Sequence, residues 1–278
     1  MFHSLRAFRS HLMRPLVFAT TLAGAACAQA AENPYYIGAS QEFVRESNVF
    51  RTASRVSDTV SSTGLQAGID QPFGRQRFYA DMSVLTNRHE NYSELNNVSH
   101  TENLGLDWSS MERLSGSLRY MSRQNLADFG LTGGSTAKNL ERTQQATASA
   151  RYGVAARLGL EGSVEHRSVK FSNSEFNTGE YSQNSASAGL RWGAAGLLTL
   201  GAGLRATQGD YPHYKDPFDP LAPETPDRLN RRDLDLTAVW SPTGLSTVPA
   251  RASATHETHS PASRPGFSGL TGSLGWDY

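Results

Sequence analysis

The residues best placed to do chemistry lie late in the chain, where His256-Glu257-Thr258-His259 puts two imidazoles and a carboxylate side by side. The group looks like a metal pair, but on a strand positions i and i+3 point to opposite faces. A third ligand is also not evident, so no metal site is expected. Asp210, Asp216 and Asp219 in the Pro-rich stretch Gly209–Asn230 offer oxygens for calcium. They lack the Gly-centred loop such sites use, and the expectation is a solvated loop. No G-x-S-x-G elbow or paired-acid motif stands out. The reading is of a protein that is not an enzyme and carries no cofactor.

The other charges are sorted onto the polar side of alternating segments. Asp70, Asp81 and Asp107 come first, then Arg119, Arg123 and Arg151, then Glu161 and Glu165. Arg191 and Arg205, Asp233 and Asp235, and finally Arg251 continue the series. A charge facing lipid at mid-depth would cost several kcal/mol, so this sorting reads as a set of lumen-lining residues. Sectors of opposite sign can pair across neighbouring strands, and pairing is expected for most of them. An exposed pair is typically worth only about 0–1 kcal/mol.

What must position these residues is alternation of period two. In Thr101–Trp108, Leu104, Leu106 and Trp108 face one way and Asn103, Gly105 and Asp107 the other. Leu158–Glu165, Ala186–Trp192 and Asp233–Trp240 repeat the pattern. Short turns at Gln71–Arg75, Ser109–Glu112, Gly153–Ala156, Gly193–Gly196 and Ser241–Gly244 join alternate strand ends. The other ends carry long polar connections: Arg45–Ser57, Asn87–Ser99, Gln124–Leu140, Ser168–Gly179, Gly209–Asn230 and Glu257–Pro265. A soluble sandwich has no reason to sort loops by length. A transmembrane barrel does, and the pattern predicts an all-β, antiparallel, up-and-down transmembrane β-barrel of about twelve strands. Trp108, Trp192, Trp240 and Trp276 each close an even-numbered strand, as Tyr152 does, and Tyr278 is the last residue. Amphipathic rings at one level are what a membrane-interface girdle needs.

Residues 1–30 read as an export signal, with 31–278 as the barrel. Arg6, Arg9 and Arg14 precede a short apolar core, Leu16–Ala26, and Ala28-Gln29-Ala30 forms an A-x-A cleavage site. Cys27 is the only cysteine, and Gly24 stands where a lipobox wants a branched aliphatic. Without the three leader arginines, 23 basic residues face 26 acidic ones, which argues against nucleic acid as a partner. No apolar run reaches the roughly 18 residues of a helical span.

Several short runs carry a resemblance. Ile37-Gly38-Ala39-Ser40, Glu46-Ser47-Asn48-Val49-Phe50-Arg51 and Ser57-Asp58-Thr59 open it. Arg75-Gln76-Arg77-Phe78, Ser93-Glu94-Leu95-Asn96-Asn97, Arg113-Leu114-Ser115-Gly116 and Trp240-Ser241-Pro242-Thr243-Gly244 follow. Together they resemble the EpsL-type outer-membrane proteins of exopolysaccharide loci, a family of β-barrel porins. The resemblance implies residence in the outer membrane of a Gram-negative bacterium and a channel that passes an extracellular polysaccharide. It implies outer-membrane lipid and the outer-membrane assembly machinery, acting through the C-terminal strand, as partners. Family members continue past a segment like Gly272–Trp276, which implies a barrel truncated from a larger one. Leu270, Leu274, Trp276 and Tyr278 nevertheless alternate up to a terminal aromatic, like an assembly signal. The alternative reading is a structural or adhesive barrel with a plugged lumen.

Overall fold

A computed structural model of the chain describes residues 33–110, 113–129, 135–155, 157–194, 197–216, 221, 223–242, 245–262 and 264–277. The leader, Cys27, Asp219, Tyr278 and parts of four short turns lie outside the described residues.

The chain forms one twelve-stranded antiparallel sheet in which every strand pairs with its sequence neighbours. The strands are β1 Tyr35–Glu46, β2 Asp58–Phe73, β3 Gln76–His89, β4 Asn97–Ser109, β5 Leu114–Leu126 and β6 Leu140–Ala155. They continue as β7 Leu158–Phe171, β8 Tyr181–Ala194, β9 Leu198–Tyr214, β10 Thr225–Trp240, β11 Val248–Thr258 and β12 Phe267–Leu274. Among the described residues, β1 pairs with β2 alone and β12 with β11 alone. No helix there is long and apolar enough to cross a membrane.

The first short hairpin is tighter than the sequence suggests, and the connection after β10 is longer than Ser241–Gly244, since β11 starts only at Val248. Phe73 pairs with Gln76, so the first turn is Gly74-Arg75 alone rather than Gln71–Arg75. Gly74 has φ +61°, and a glycine at the first central position is the type II′ pattern that follows strand twist. The long connections are also shorter than expected. β3 runs on to His89 and β4 starts at Asn97, inside the expected loop Asn87–Ser99. β9 continues to Tyr214 and β10 begins at Thr225, so most of Gly209–Asn230 is strand. Asp210 is therefore a ladder residue, ion-paired to Arg228 at 3.2 Å, and not part of a calcium loop.

Among the described residues, apolar side chains do not form a central core. Leu65, Leu118, Val164, Leu190, Leu204 and Leu236 stand exposed on one face of the sheet. The buried apolar cluster lies among the long connections instead. Val49, Phe50, Leu95 and Phe129 pack there, with the Phe50 ring edge-on to Tyr92 at 5.0 Å and to Phe129 at 5.2 Å.

Candidate functional site: the polar face of the sheet

Partners in an antiparallel ladder share a face, so register alone says which side chains meet. Following it across the sheet, Asp81, Asp107, Arg119, Arg123, Arg151, Glu161, Glu165, Arg191, Arg205, Asp233, Asp235 and Arg251 all fall on one face. Leu104, Leu118, Val164, Leu190, Leu204 and Leu236 fall on the other.

Most of the charges find partners across strands. Arg119 reaches Asp107 at 3.3 Å, and Arg151 reaches Glu161 at 3.5 Å with both groups well exposed. Glu165 accepts from Gln145 at 3.0 Å and Thr147 at 3.4 Å. Asp70 is bound by Arg77, whose Nε donates at 2.7 Å. Arg77 is a partner the sequence reading missed. Asp233 takes Arg231 at 3.0 Å and the Thr255 hydroxyl at 2.6 Å. Among the described residues Arg123 and Arg191 make no ion pair or hydrogen bond through their guanidinium groups.

Asp235 departs from the expectation of cheap exposed pairs. Its carboxylate is only 14% exposed and is clamped by Arg205 on β9 and Arg251 on β11, the latter at 2.8 Å, with the Ser253 hydroxyl at 2.5 Å. Each charge-assisted bond in such a site is worth about 1.5–3 kcal/mol, above the surface-pair range. The clamp arises because Asp235 stands opposite Gly203 and Ser253, small residues that let arginines two positions along each neighbouring strand lean over it.

Tyr79 and Tyr36 also belong to this face and were not expected there. The Tyr79 ring lies across Gly105, where a Cβ would come within 2.0 Å of it, and its hydroxyl accepts from Arg119 Nε at 2.9 Å. Tyr36 lies across Gly68 in the same way and donates to Asp81. The signal is a Tyr opposite a Gly in the ladder, visible only once the register is known.

A cavity of about 810 Å³ runs along the polar face from β4 to β10. Asp107, Arg151, Glu161, Glu165, Arg205 and Asp235 line it, with Ser117, Ser149, Ser163 and Ser187 between them. Charges of both signs interspersed with hydroxyls make a surface able to hydrogen-bond a polar, uncharged solute. The apolar face is grooved as well, over about 770 Å³, as a twisted sheet allows.

His256 and His259 do point apart. His256 Nδ1 meets Ser268 Oγ at 2.6 Å on one face. His259 is buried on the other, between Asp227 at 2.9 Å and Glu257 at 3.1 Å. Arg264 binds the same Asp227 at 2.7 Å and lies over the rings of Tyr211 and Tyr214. The cluster ties the last long connection to the ends of β10 and β11. Among the described residues no group of three or more His, Cys, Asp or Glu side chains could hold a metal ion.

Trp192, Trp240 and Tyr152 lie at the short-turn ends of β8, β10 and β6, each about half exposed on the apolar face. Trp108 lies near the end of β4 on the same face and packs over Gly116, and Trp276 follows β12 at 74% exposure.

No family model and no curated protein matches the chain. Among solved structures, the toluene transporter TodX of Pseudomonas putida is similar with a TM-score of 0.39 and 11% identity, over 88% of this chain and 79% of that one. So distant a likeness adds nothing to the functional argument.

Proposed function

We propose that the chain is an outer-membrane β-barrel channel associated with exopolysaccharide biosynthesis and export, with residues 1–30 as its leader and 31–278 as its barrel. The observation that carries this reading is the division of a twelve-stranded sheet into a charged, hydrogen-bonded face and an apolar face left exposed. Water penalises an apolar surface of that extent, whereas acyl chains do not. Lipid penalises an open sheet edge, because unpaired N–H and C=O groups have no water to bind there. The reading therefore requires that the free edges of β1 and β12 come together, with the polar face turned inward as the lumen.

In that arrangement Trp108, Tyr152, Trp192, Trp240, Trp276 and Tyr278 form the interfacial girdle on the short-turn side. Arg123 and Arg191, without partners on the polar face among the described residues, are cations available to a uronate or similar carboxylate of a passing polymer. The polysaccharide and the docking of the C-terminal strand on the assembly machinery rest on the resemblance to the EpsL-type family. Purified, refolded protein in a planar bilayer tests the transport reading. Discrete conductance steps that acidic oligosaccharides block are expected, with weaker block in Arg123→Gln and Arg191→Gln. A heat-modifiable protein with no conductance would contradict it.

One observation favours the plugged barrel as a second reading. The cluster of Val49, Phe50, Leu95 and Phe129 joins three of the long connections into a packed unit at one end of the sheet. Conductance that appears only after Phe50→Ala would support this alternative.

A further inference from the structure

On β6 and β7, Arg142 and Lys170 stand directly opposite one another on the apolar side of the sheet, close to the long-connection ends of their strands at Leu140 and Phe171. Like charges directly opposite in a ladder destabilise it. Both side chains are exposed, and among the described residues neither has an acidic partner. On the far side of Arg142 the register places Gln124, a neutral residue. Glu180, the carboxylate that begins the return towards β8, accepts instead from the Phe171 N–H at 2.9 Å. One step toward the apolar band, Gln144 pairs with Ser122, whose hydroxyl is fully buried without a hydrogen-bond partner.

Beyond the next pair along these strands, Gln144 and Ser168, the apolar groove begins. Leu104, Leu118, Ala146, Ala148, Val164 and Ala186 line it, and His166, Asn184 and Gln208 form its polar margin. His166 stands four positions from Lys170, roughly 13 Å along a strand, a step that the glycerol and first methylenes of a lipid can span below a phosphate held by the cations. An apolar trough leading up to an uncompensated pair of cations is complementary to one class of molecule, an amphiphile with an anionic head. We propose that Arg142 and Lys170 bind the phosphate of a membrane lipid on the long-connection side, with an acyl chain lying in the Leu118–Val164 groove. The phosphate sits between the two cations and turns a repulsive cross-strand pair into an attractive triad. This inference rests on the barrel reading above.

The test uses the full mature chain refolded in detergent, with phosphatidic acid and phosphatidylcholine of identical acyl chains as probes. Native mass spectrometry counts the lipid retained, and the gel shift on boiling reports the folded barrel separately. The expected result is retention of phosphatidic acid roughly fivefold above phosphatidylcholine, falling to parity in the Arg142→Gln/Lys170→Gln variant and restored in Arg142→Lys/Lys170→Arg. Equal retention of both lipids by heat-modifiable wild-type protein overturns the site and leaves the barrel standing. Displacement by inorganic phosphate as effective as by phosphatidic acid overturns the lipid as its ligand. Absence of the gel shift in every lipid removes the barrel reading itself, and the site with it.

Discussion

Asp235 and Leu236 are consecutive on β10, yet the Asp235 carboxylate is clamped by Arg205 and Arg251 while Leu236 is 55% exposed on the opposite face. One peptide bond separates a charge hub from an apolar surface. Substitutions at the two positions therefore test the two faces at nearly matched depth. Leu236→Arg places a guanidinium in lipid and is expected to destabilise the folded barrel by about 2–4 kcal/mol. Asp235→Asn leaves two arginines facing each other across a neutral amide and is expected to cost about 1.5–3 kcal/mol. Denaturant unfolding in vesicles measures both. A neutral Leu236→Arg would place the apolar face in water.

The exposed pairs should behave differently from the clamp. Arg151 and Glu161 are each about half exposed at 3.5 Å, so Arg151→Gln is expected to change stability by no more than about 1 kcal/mol. A loss as large as that of Asp235→Asn would mean that the polar face near β6 and β7 is drier than its exposure indicates.

Strand order and strand face were legible in the sequence because period two fixes a residue's side wherever one face is apolar. Thr101–Trp108 and Asp233–Trp240 show this most clearly, and the ladder places their residues as the alternation does. The ends of the strands were not legible. Past the apolar band a strand needs no apolar residues, so Asn87 and Asn97 read as loop. In the structure they hydrogen-bond each other and Ser99, and Asn87 accepts from Ser62, continuing the ladder in polar side chains. The hub at Asp235 and the Tyr79–Gly105 contact were hidden for another reason. Each depends on which residue stands opposite, and composition along one strand cannot supply that.

The long connections should face outward from the cell and the short turns the periplasm. With single cysteines introduced at Pro223, between β9 and β10, and at Pro242, after β10, an impermeant thiol reagent on intact cells should label the first and spare the second. The reverse pattern would invert the topology.

The loop cluster should loosen in acid. Asp58 lies at the long-connection end of β2, beyond the apolar residues of that strand, with its side chain fully buried. Burial works against the charged form, but hydrogen bonds from the Asn91 backbone and side chain, the Thr59 N–H and His89 outweigh it. They hold the carboxyl below the usual range. A carboxylate whose folded value is depressed contributes stability fully above its unfolded value of about 3.9, and loses it as pH falls through the folded value. Hydrogen-exchange protection in residues 47–57 and 90–96, taken relative to the intrinsic exchange rate at each pH, should therefore fall below about pH 4, and in Asp58→Asn already at neutral pH. Unchanged exchange in the variant would show that Asp58 does not anchor these connections.

The central claim is that the polar face encloses an aqueous lumen while the apolar face meets lipid, and Ser187 and Ala188 on β8 test it most directly. They are adjacent and both border the polar cavity, but the ladder turns the Ser187 side chain to the polar face with Ser163 and Arg205, and the Ala188 side chain to the apolar face with Gly162 and Leu204. Each is replaced by cysteine, and a bulky charged thiosulfonate is added during single-channel recording. The account predicts a stepwise fall in conductance for Ser187→Cys and none for Ala188→Cys. A fall for Ala188→Cys alone, or no conductance to block in either protein, would contradict it.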